Sequence, residues 1–142
     1  MRFDLIKYIF PSGLYCVVCG NYIDETRKYG LCDHCIRHMN FGCSTFDCSP
    51  YFQYGFAAMG YGLYERRLIF NLKYNGKTYM APIIAQIMYD AIYNQVVQGK
   101  DCPILDADMI IPVPIHEKRL KERGFNQTER IAKHLGRKIS IN

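Results

Sequence analysis

Two pairs of cysteines constrain the amino-terminal third of this chain more than any other feature of its sequence. Each pair has the spacing C-x2-C, and twelve residues separate one pair from the other. Each C-x2-C can bend into a knuckle that presents two thiolates to one tetrahedral zinc ion. Four protein ligands leave no open position for a substrate, so we predict a structural zinc site. The ligands would be Cys16, Cys19, Cys32 and Cys35.

The segment around these cysteines has no sustained apolar periodicity, so bound metal would supply the folding free energy that a small core lacks. The alternative is four free, partly buried thiols, and a redox role is less favoured because neither pair sits at a strand-to-helix turn. We expect His34 and His38 to be surface residues and Cys102 to be a packed thiol. Cys43 and Cys48 are either remnants of a second knuckle or alternate ligands.

The remaining pattern of apolar residues predicts an α/β protein in two parts. Residues 1–50 would form an amino-terminal helix and a zinc-ribbon-like module, and residues 51–142 the α/β part. The predicted elements are a helix over 3–10, a strand over 54–61, helices over 63–73 and about 79–98, a strand over 108–113 and a final helix after Asn126. The strand over 108–113 is almost entirely apolar, which is typical of an interior strand in a parallel sheet.

Composition excludes several classes of protein. No apolar run approaches the roughly 18 residues that a membrane span needs. Asp4 and Lys7 interrupt the stretch where a signal peptide would have its apolar core. The seven cysteines are an odd number, which disfavours a complete disulfide framework. We therefore expect a cytoplasmic protein with reduced cysteines.

The net charge of +5 is confined to the end of the chain. Residues 116–142 carry eight Lys/Arg and three Asp/Glu, whereas residues 1–50 and 51–115 are each neutral. Such a concentration of positive charge indicates either an anionic ligand, such as a phosphate group or a nucleic-acid backbone, or simply a solvated helix face.

The same region combines a strand, a basic loop and a capped helix. Two prolines end the predicted strand, and ligands of open α/β sheets bind beyond that end of a strand. The loop contributes Arg119 and Arg123, Gly124 permits unusual backbone angles, and Asn126 suits the N-cap of the final helix. Each residue alone has an ordinary structural explanation. Together they predict a site for phosphate or pyrophosphate, with free helix N–H groups flanked by guanidinium groups.

Three stretches of the sequence resemble a known family. Ile111-Pro-Val-Pro-Ile-His116 and Arg119-Leu-Lys-Glu-Arg-Gly-Phe-Asn-Gln127 resemble the signature of ComF-type competence proteins, which belong to the type I phosphoribosyltransferase superfamily. Leu72-Lys-Tyr-Asn-Gly-Lys77 resembles a second block of that family, and the cysteine pairs resemble its zinc module. The resemblance covers nearly the whole chain. It implies a small zinc module followed by a type I phosphoribosyltransferase-like domain with a parallel sheet.

The resemblance also implies a ligand and a process. A complete domain would bind 5-phosphoribosyl 1-pyrophosphate with Mg²⁺, and the family handles incoming DNA during natural transformation, together with other proteins of the competence machinery. The pyrophosphate side of the site would be lined by Arg119, Arg123, Gly124, Asn126 and Gln127, with Lys73 as a further candidate.

The sequence departs from the family in one respect. The family needs an adjacent pair of acidic residues followed by a Thr/Gly-rich loop, and this chain has no Asp-Asp pair and no Thr-Gly dipeptide. We therefore expect an amino-terminal fragment or truncated member, in which residues 51–142 form roughly the amino-terminal half of the phosphoribosyltransferase-like domain. Such a chain would be inactive as a transferase on its own. The alternatives are a zinc-containing module that binds single-stranded nucleic acid through basic and aromatic residues, and a decayed gene product without activity.

Overall fold

The computed structural model describes residues 15–100 and 102–141, so the helix predicted over 3–10 lies outside the described residues. The described residues form a mixed helix and strand structure. Its elements in chain order are α1 (Asp33–His38), β1 (Ser44–Cys48), β2 (Phe52–Ala57), α2 (Leu63–Tyr74), α3 (Met80–Val97), α4 (Glu117–Arg123) and α5 (Gln127–Ile139). Short 3-10 turns occupy Lys28–Gly30 and Pro103–Asp106. Within the described residues, no helix combines the length and the apolar character that crossing a bilayer requires.

The predicted helices α2, α3 and α5 are confirmed. Helix α2 starts after Gly62, whose N–H donates to the Glu65 carboxylate over 3.0 Å. The same buried carboxylate accepts the N–H of Asn40. This bond ties the start of α2 to the end of the cysteine-rich segment, residues 16–40. Gly76 and Gly99 follow α2 and α3 with φ values of +61° and +68°, conformations that glycine adopts without steric cost.

Helix α3 lies at the centre of the fold and supplies both of its apolar clusters. The first cluster joins α3 to α2 and to the cysteine-rich segment; its fully buried large members are Leu31, Cys35, Leu68, Leu72, Met80 and Ile87. The second joins α3 to α5 through Ala85, Ile92, Cys102 and Leu135. Each fully buried aliphatic side chain contributes roughly 1.5–3 kcal/mol by its removal from water. The cysteine-rich segment therefore shares one core with the helices.

The only sheet of the described residues is an antiparallel pair of β1 and β2. Strand β2 overlaps the predicted strand over 54–61 but begins two residues earlier, and β1 was not predicted. Phe46 on β1 lies opposite Gly55 on β2, where a Cβ atom would overlap the Phe46 ring. Gly55 thus leaves room for the Phe46 ring of the partner strand.

The strand predicted over 108–113 is wrong. This segment has no regular secondary structure, because no described strand lies beside it to accept or donate its backbone hydrogen bonds. Ile110 packs against the cluster between α3 and α5. Met109, Ile111 and Val113 stay exposed.

The loop predicted after that segment is also wrong, since residues 117–123 form helix α4. His116 is its N-cap, with the ring nitrogen Nδ1 accepting the Lys118 N–H over 3.2 Å. Gly124 ends α4 in the left-handed conformation, with φ +74°. The two caps satisfy backbone groups that a seven-residue helix would otherwise leave to water.

Candidate metal centre and basic cleft

Four cysteine sulfurs converge as the spacing predicts. The Sγ atoms of Cys16, Cys19, Cys32 and Cys35 all lie within 4.8 Å of one another, and those of Cys19 and Cys32 are 3.6 Å apart. Sulfurs around a tetrahedral zinc, with bonds of about 2.3 Å, lie roughly 3.8 Å apart. The cluster can therefore hold a metal ion such as zinc. Among the residues described, it is the only group of three or more histidines, cysteines or carboxylates with this property.

Two backbone turns bring these sulfurs together. In the first, the Gly20 N–H donates to the Cys16 carbonyl over 2.8 Å, and φ at Gly20 is +77°. In the second, Cys32 is the N-cap of α1, and its sulfur accepts the Cys35 N–H over 3.5 Å. A residue with a Cβ is strained at the Gly20 position, so this glycine favours the turn of the first knuckle.

The thiols of the cluster do not ionise equally. Burial opposes ionisation of Cys16, but N–H donors from Cys19, Cys32 and Val18 outweigh burial and lower the pKa of Cys16 to about 7. Burial raises the pKa of Cys19 and of Cys35. Because the thiolate is the form that binds a metal, a bound cation would favour ionisation of Cys19 and Cys35 against the effect of their burial.

The other metal-ligand candidates lie outside this cluster. His34 and His38 are exposed, as predicted, with ring centroids 4.2 Å apart. Cys102 is buried in the core between α3 and α5, also as predicted. Cys43 is half-buried, and burial raises its pKa, with a further increase from nearby Cys102. The Cys48 side chain is not among those that the structure describes.

A second site is an open cleft between α2, α4 and α5. Four of the six residues assigned to the pyrophosphate site line this cleft, which has a volume of about 480 Å³: Lys73, Arg119, Arg123 and Gln127. Residues 113–116 and Thr128 complete its wall. Lys73 belongs to the sequence block over residues 72–77, and the other three residues belong to the block over residues 119–127. Folding therefore brings two blocks that are distant in sequence together.

Arg123 is fixed within the cleft by two neighbours. Its Nη1 donates to Gln127 Oε1 over 3.0 Å, and its guanidinium carbon lies 4.8 Å from the centroid of the Tyr74 ring. Stacking on an aromatic face favours a cation and restricts its side-chain rotation. Sequence reasoning missed Tyr74, although it follows Lys73 directly in the block Leu72-Lys-Tyr-Asn-Gly-Lys77.

Gly124 and Asn126 do not line the cleft but line a groove on another side of α5. The Gly124 N–H donates to the Leu120 carbonyl over 2.8 Å. The Asn126 side chain accepts the Thr128 N–H over 3.1 Å and donates to the Val113 carbonyl over 3.1 Å. The backbone N–H of Thr128 is therefore already bonded, in contrast to the free helix N–H groups that the sequence suggested. The cleft presents positively charged side chains instead.

Among the described residues, no ion pair neutralises the positive charge of α4 and α5. In the part of the chain that the structure describes, the ion pairs are Arg27 with Asp24, Arg27 with Asp33, and Lys28 with Asp90. None of them involves a residue of α4 or α5. Lysines and arginines without carboxylate partners create a positive potential that attracts anions.

Comparison with known proteins identifies no relative of this chain. No protein-family model matches the chain, and neither the curated proteins nor the solved structures include a significant match. The described residues thus form a mixed helix and strand structure with a cysteine cluster that could hold a metal ion and, separately, a basic cleft. Any function must be argued from these two sites.

Proposed function

We propose that this chain is a ComF-type, phosphoribosyltransferase-like protein of the cytoplasm that binds phosphoribosyl pyrophosphate or a similar polyanion. The observation that carries the proposal is the cleft shared by Lys73, Arg119, Arg123 and Gln127. Both sequence blocks that resemble the family contribute to it. By the same resemblance, the protein would act with the competence machinery on DNA taken up during natural transformation.

The chemistry of the cleft suits a diphosphate. Guanidinium groups bind phosphate oxygens with two parallel hydrogen bonds, and a lysine ammonium adds a point charge. Arg123 is already held by Gln127 and Tyr74, which lowers the entropy lost when a ligand binds. No carboxylate is among the described residues that line the cleft, so Mg²⁺, which the resemblance implies, would enter together with the ligand.

We assign a structural zinc ion to the cysteine cluster. Cys35 is fully buried in the same cluster of apolar side chains as Leu31 and Leu72. All four ligands come from the protein, so no position remains for a reacting water. The metal would stabilise the fold, and the chain alone would not catalyse phosphoribosyl transfer, because the acidic pair and the Thr/Gly loop of the family are missing from its sequence.

Calorimetric titration with pyrophosphate and with phosphoribosyl pyrophosphate tests the cleft. We expect Arg123→Ala to weaken binding roughly tenfold or more, since a hydrogen bond to a charged group contributes about 1.5–3 kcal/mol. Arg137→Ala is the matched control, because it also removes one arginine charge, but from a position on α5 that lies outside the cleft. Equal losses in both variants would show general attraction of anions and would refute a specific site.

A second candidate function is binding of single-stranded nucleic acid. The observation that favours it is the other groove, of about 540 Å³, lined by Phe125, Arg130, Lys133 and Arg137. The guanidinium carbon of Arg130 lies 4.9 Å from the Phe125 ring centroid, so the groove combines charge with an aromatic face. Binding there should fall steeply with salt, and each cation should contribute a similar share. A chain that binds neither pyrophosphate nor single-stranded DNA would instead fit a gene product without activity.

A further inference from the structure

His116 belongs to the wall of the basic cleft, although the sequence pattern did not assign it to the pyrophosphate site. It is exposed, and it lines the cleft together with the cationic side chains of Lys73, Arg119 and Arg123. Arg119 follows three residues later, in the first turn of α4, and side chains with this separation are neighbours on a helix. A ligand held by these cations would therefore lie beside an imidazole ring.

The N-cap of α4 fixes which ring nitrogen of His116 carries a proton. Nδ1 accepts the Lys118 N–H over 3.2 Å, and a ring nitrogen that accepts a hydrogen bond has no proton of its own. The neutral ring then carries its proton on Nε2, which acts as a donor. Among the described residues, no group forms a hydrogen bond with Nε2 of His116.

We propose that His116 is a further ligand residue of the basic cleft, in which Nε2–H donates to a phosphate oxygen while Nδ1 continues to cap α4. This inference rests on the proposed function of the cleft as a pyrophosphate site. Hydrogen bonds to an ionised acceptor are strong even when the donor is neutral. The bond to Lys118 restricts rotation of the ring before a ligand arrives, so less side-chain entropy is lost on binding.

A neutral donor and a cation respond differently to salt. The attraction between a phosphate group and the charged side chains of Lys73, Arg119 and Arg123 is screened as ionic strength rises. A hydrogen bond from the uncharged Nε2–H of His116 depends little on ionic strength. Loss of this donor should therefore lower the affinity for pyrophosphate and leave its salt dependence unchanged, whereas Arg123→Ala should reduce both.

Two substitutions separate the cap of His116 from its donor. Asparagine is a preferred N-cap residue, and it retains an acceptor for the Lys118 N–H but lacks the outer nitrogen of the ring. Glutamine retains an N–H donor at the longer reach and is not a preferred N-cap residue. In calorimetric titration with pyrophosphate, we expect His116→Asn to weaken binding roughly tenfold, the loss of one hydrogen bond to a charged group. The matched His116→Gln variant should bind nearly as tightly as the unchanged chain.

Nitrogen NMR of the histidine rings supplies a readout that a cap alone would not change. Adding pyrophosphate should shift the Nε2 resonance of His116 and leave its Nδ1 resonance in place. An affinity that His116→Asn does not alter, or equal losses in His116→Asn and His116→Gln, would overturn this inference, while an effect of Arg123→Ala would still support the cleft. A chain that binds no pyrophosphate would overturn the proposed function and this inference with it.

Discussion

Asn126 links two parts of the fold through a single amide group. Its Oδ1 caps α5 by accepting the Thr128 N–H, and its Nδ2 donates to the Val113 carbonyl of the preceding apolar segment. Thr128 reinforces the link, because its hydroxyl donates to the same carbonyl over 2.7 Å. The start of α5 is therefore anchored to the segment that packs beneath it.

Replacing Asn126 should cost stability more than anion affinity. We expect Asn126→Ala to lower the free energy of unfolding by about 1 kcal/mol, the typical loss on removing an N-cap. Asn126→Ser keeps an oxygen acceptor for Thr128 and should recover most of that loss. Urea denaturation measures both effects. An Asn126→Ala protein that is as stable as the unchanged chain, yet binds pyrophosphate poorly, would instead make Asn126 a ligand residue.

Residue roles were predictable where the chemistry is local in sequence. The spacing of the four cysteines limits how they can meet, so their convergence was predicted correctly. The roles of Gly124 and Asn126 depend on partners such as the Leu120 and Val113 carbonyls. Spacing does not reveal such partners, and the same residue types suit both a helix cap and an anion site.

At the scale of elements, the cysteine-rich segment contacts α3 through a polar group as well as through apolar packing. The Tyr29 hydroxyl donates to Asp90 over 2.6 Å. Lys28 Nζ lies 3.1 Å from the same carboxylate, and Gln86 donates to its other oxygen over 2.7 Å. Burial alone would raise the pKa of Asp90, but these three donors outweigh burial and hold it below its usual value.

Removing the Tyr29 hydroxyl should weaken this contact. We expect Tyr29→Phe to lower the free energy of unfolding by about 1.5 kcal/mol or more, because the bond is to a charged acceptor. The control is Tyr93→Phe, the same change at an exposed tyrosine of α3, which should have almost no effect. Equal effects of the two changes in chemical denaturation would show that the contact with Asp90 is unimportant.

The effect of Tyr29→Phe should also depend on pH. A lowered carboxyl pKa stabilises the folded state above the unfolded-state value of about 3.9, and this stabilisation is lost as pH falls through the lower folded-state value. The difference between Tyr29→Phe and the unchanged chain should be full at neutral pH and shrink in acid. A difference that stays constant would mean that the charge of Asp90 plays no part.

Helices were easier to predict than strands for a physical reason. Helices α2, α3 and α5 carry their own hydrogen bonds, and their apolar faces repeat along the sequence. A strand also needs a neighbour. Residues 108–113 have the composition of an interior strand but no described partner, while β1, which was not predicted, is paired with β2. Helix α4 was missed because its seven residues are mostly charged and show no buried face.

At the scale of the whole molecule, the metal cluster belongs to the main core. Cys16 and Cys35 are buried together with Leu68, Met80 and Ile84, which belong to α2 and α3. A structural zinc contributes an apparent binding free energy of about 10–16 kcal/mol in small zinc peptides. That is comparable with the whole stability of a domain, about 5–15 kcal/mol. Loss of metal should therefore affect the helices and not only the cysteine-rich segment.

Metal removal should thus lower the midpoint of a single unfolding transition. We expect the chain to bind one equivalent of zinc. Circular dichroism of the helices should show a single thermal transition, and a chelator should lower its midpoint. Cys19→Ser should lose the bound metal, whereas Cys43→Ser, a change outside the cluster, should retain it. Two separate transitions after chelation would show that α2 and α3 fold without the cluster, and would contradict a shared core.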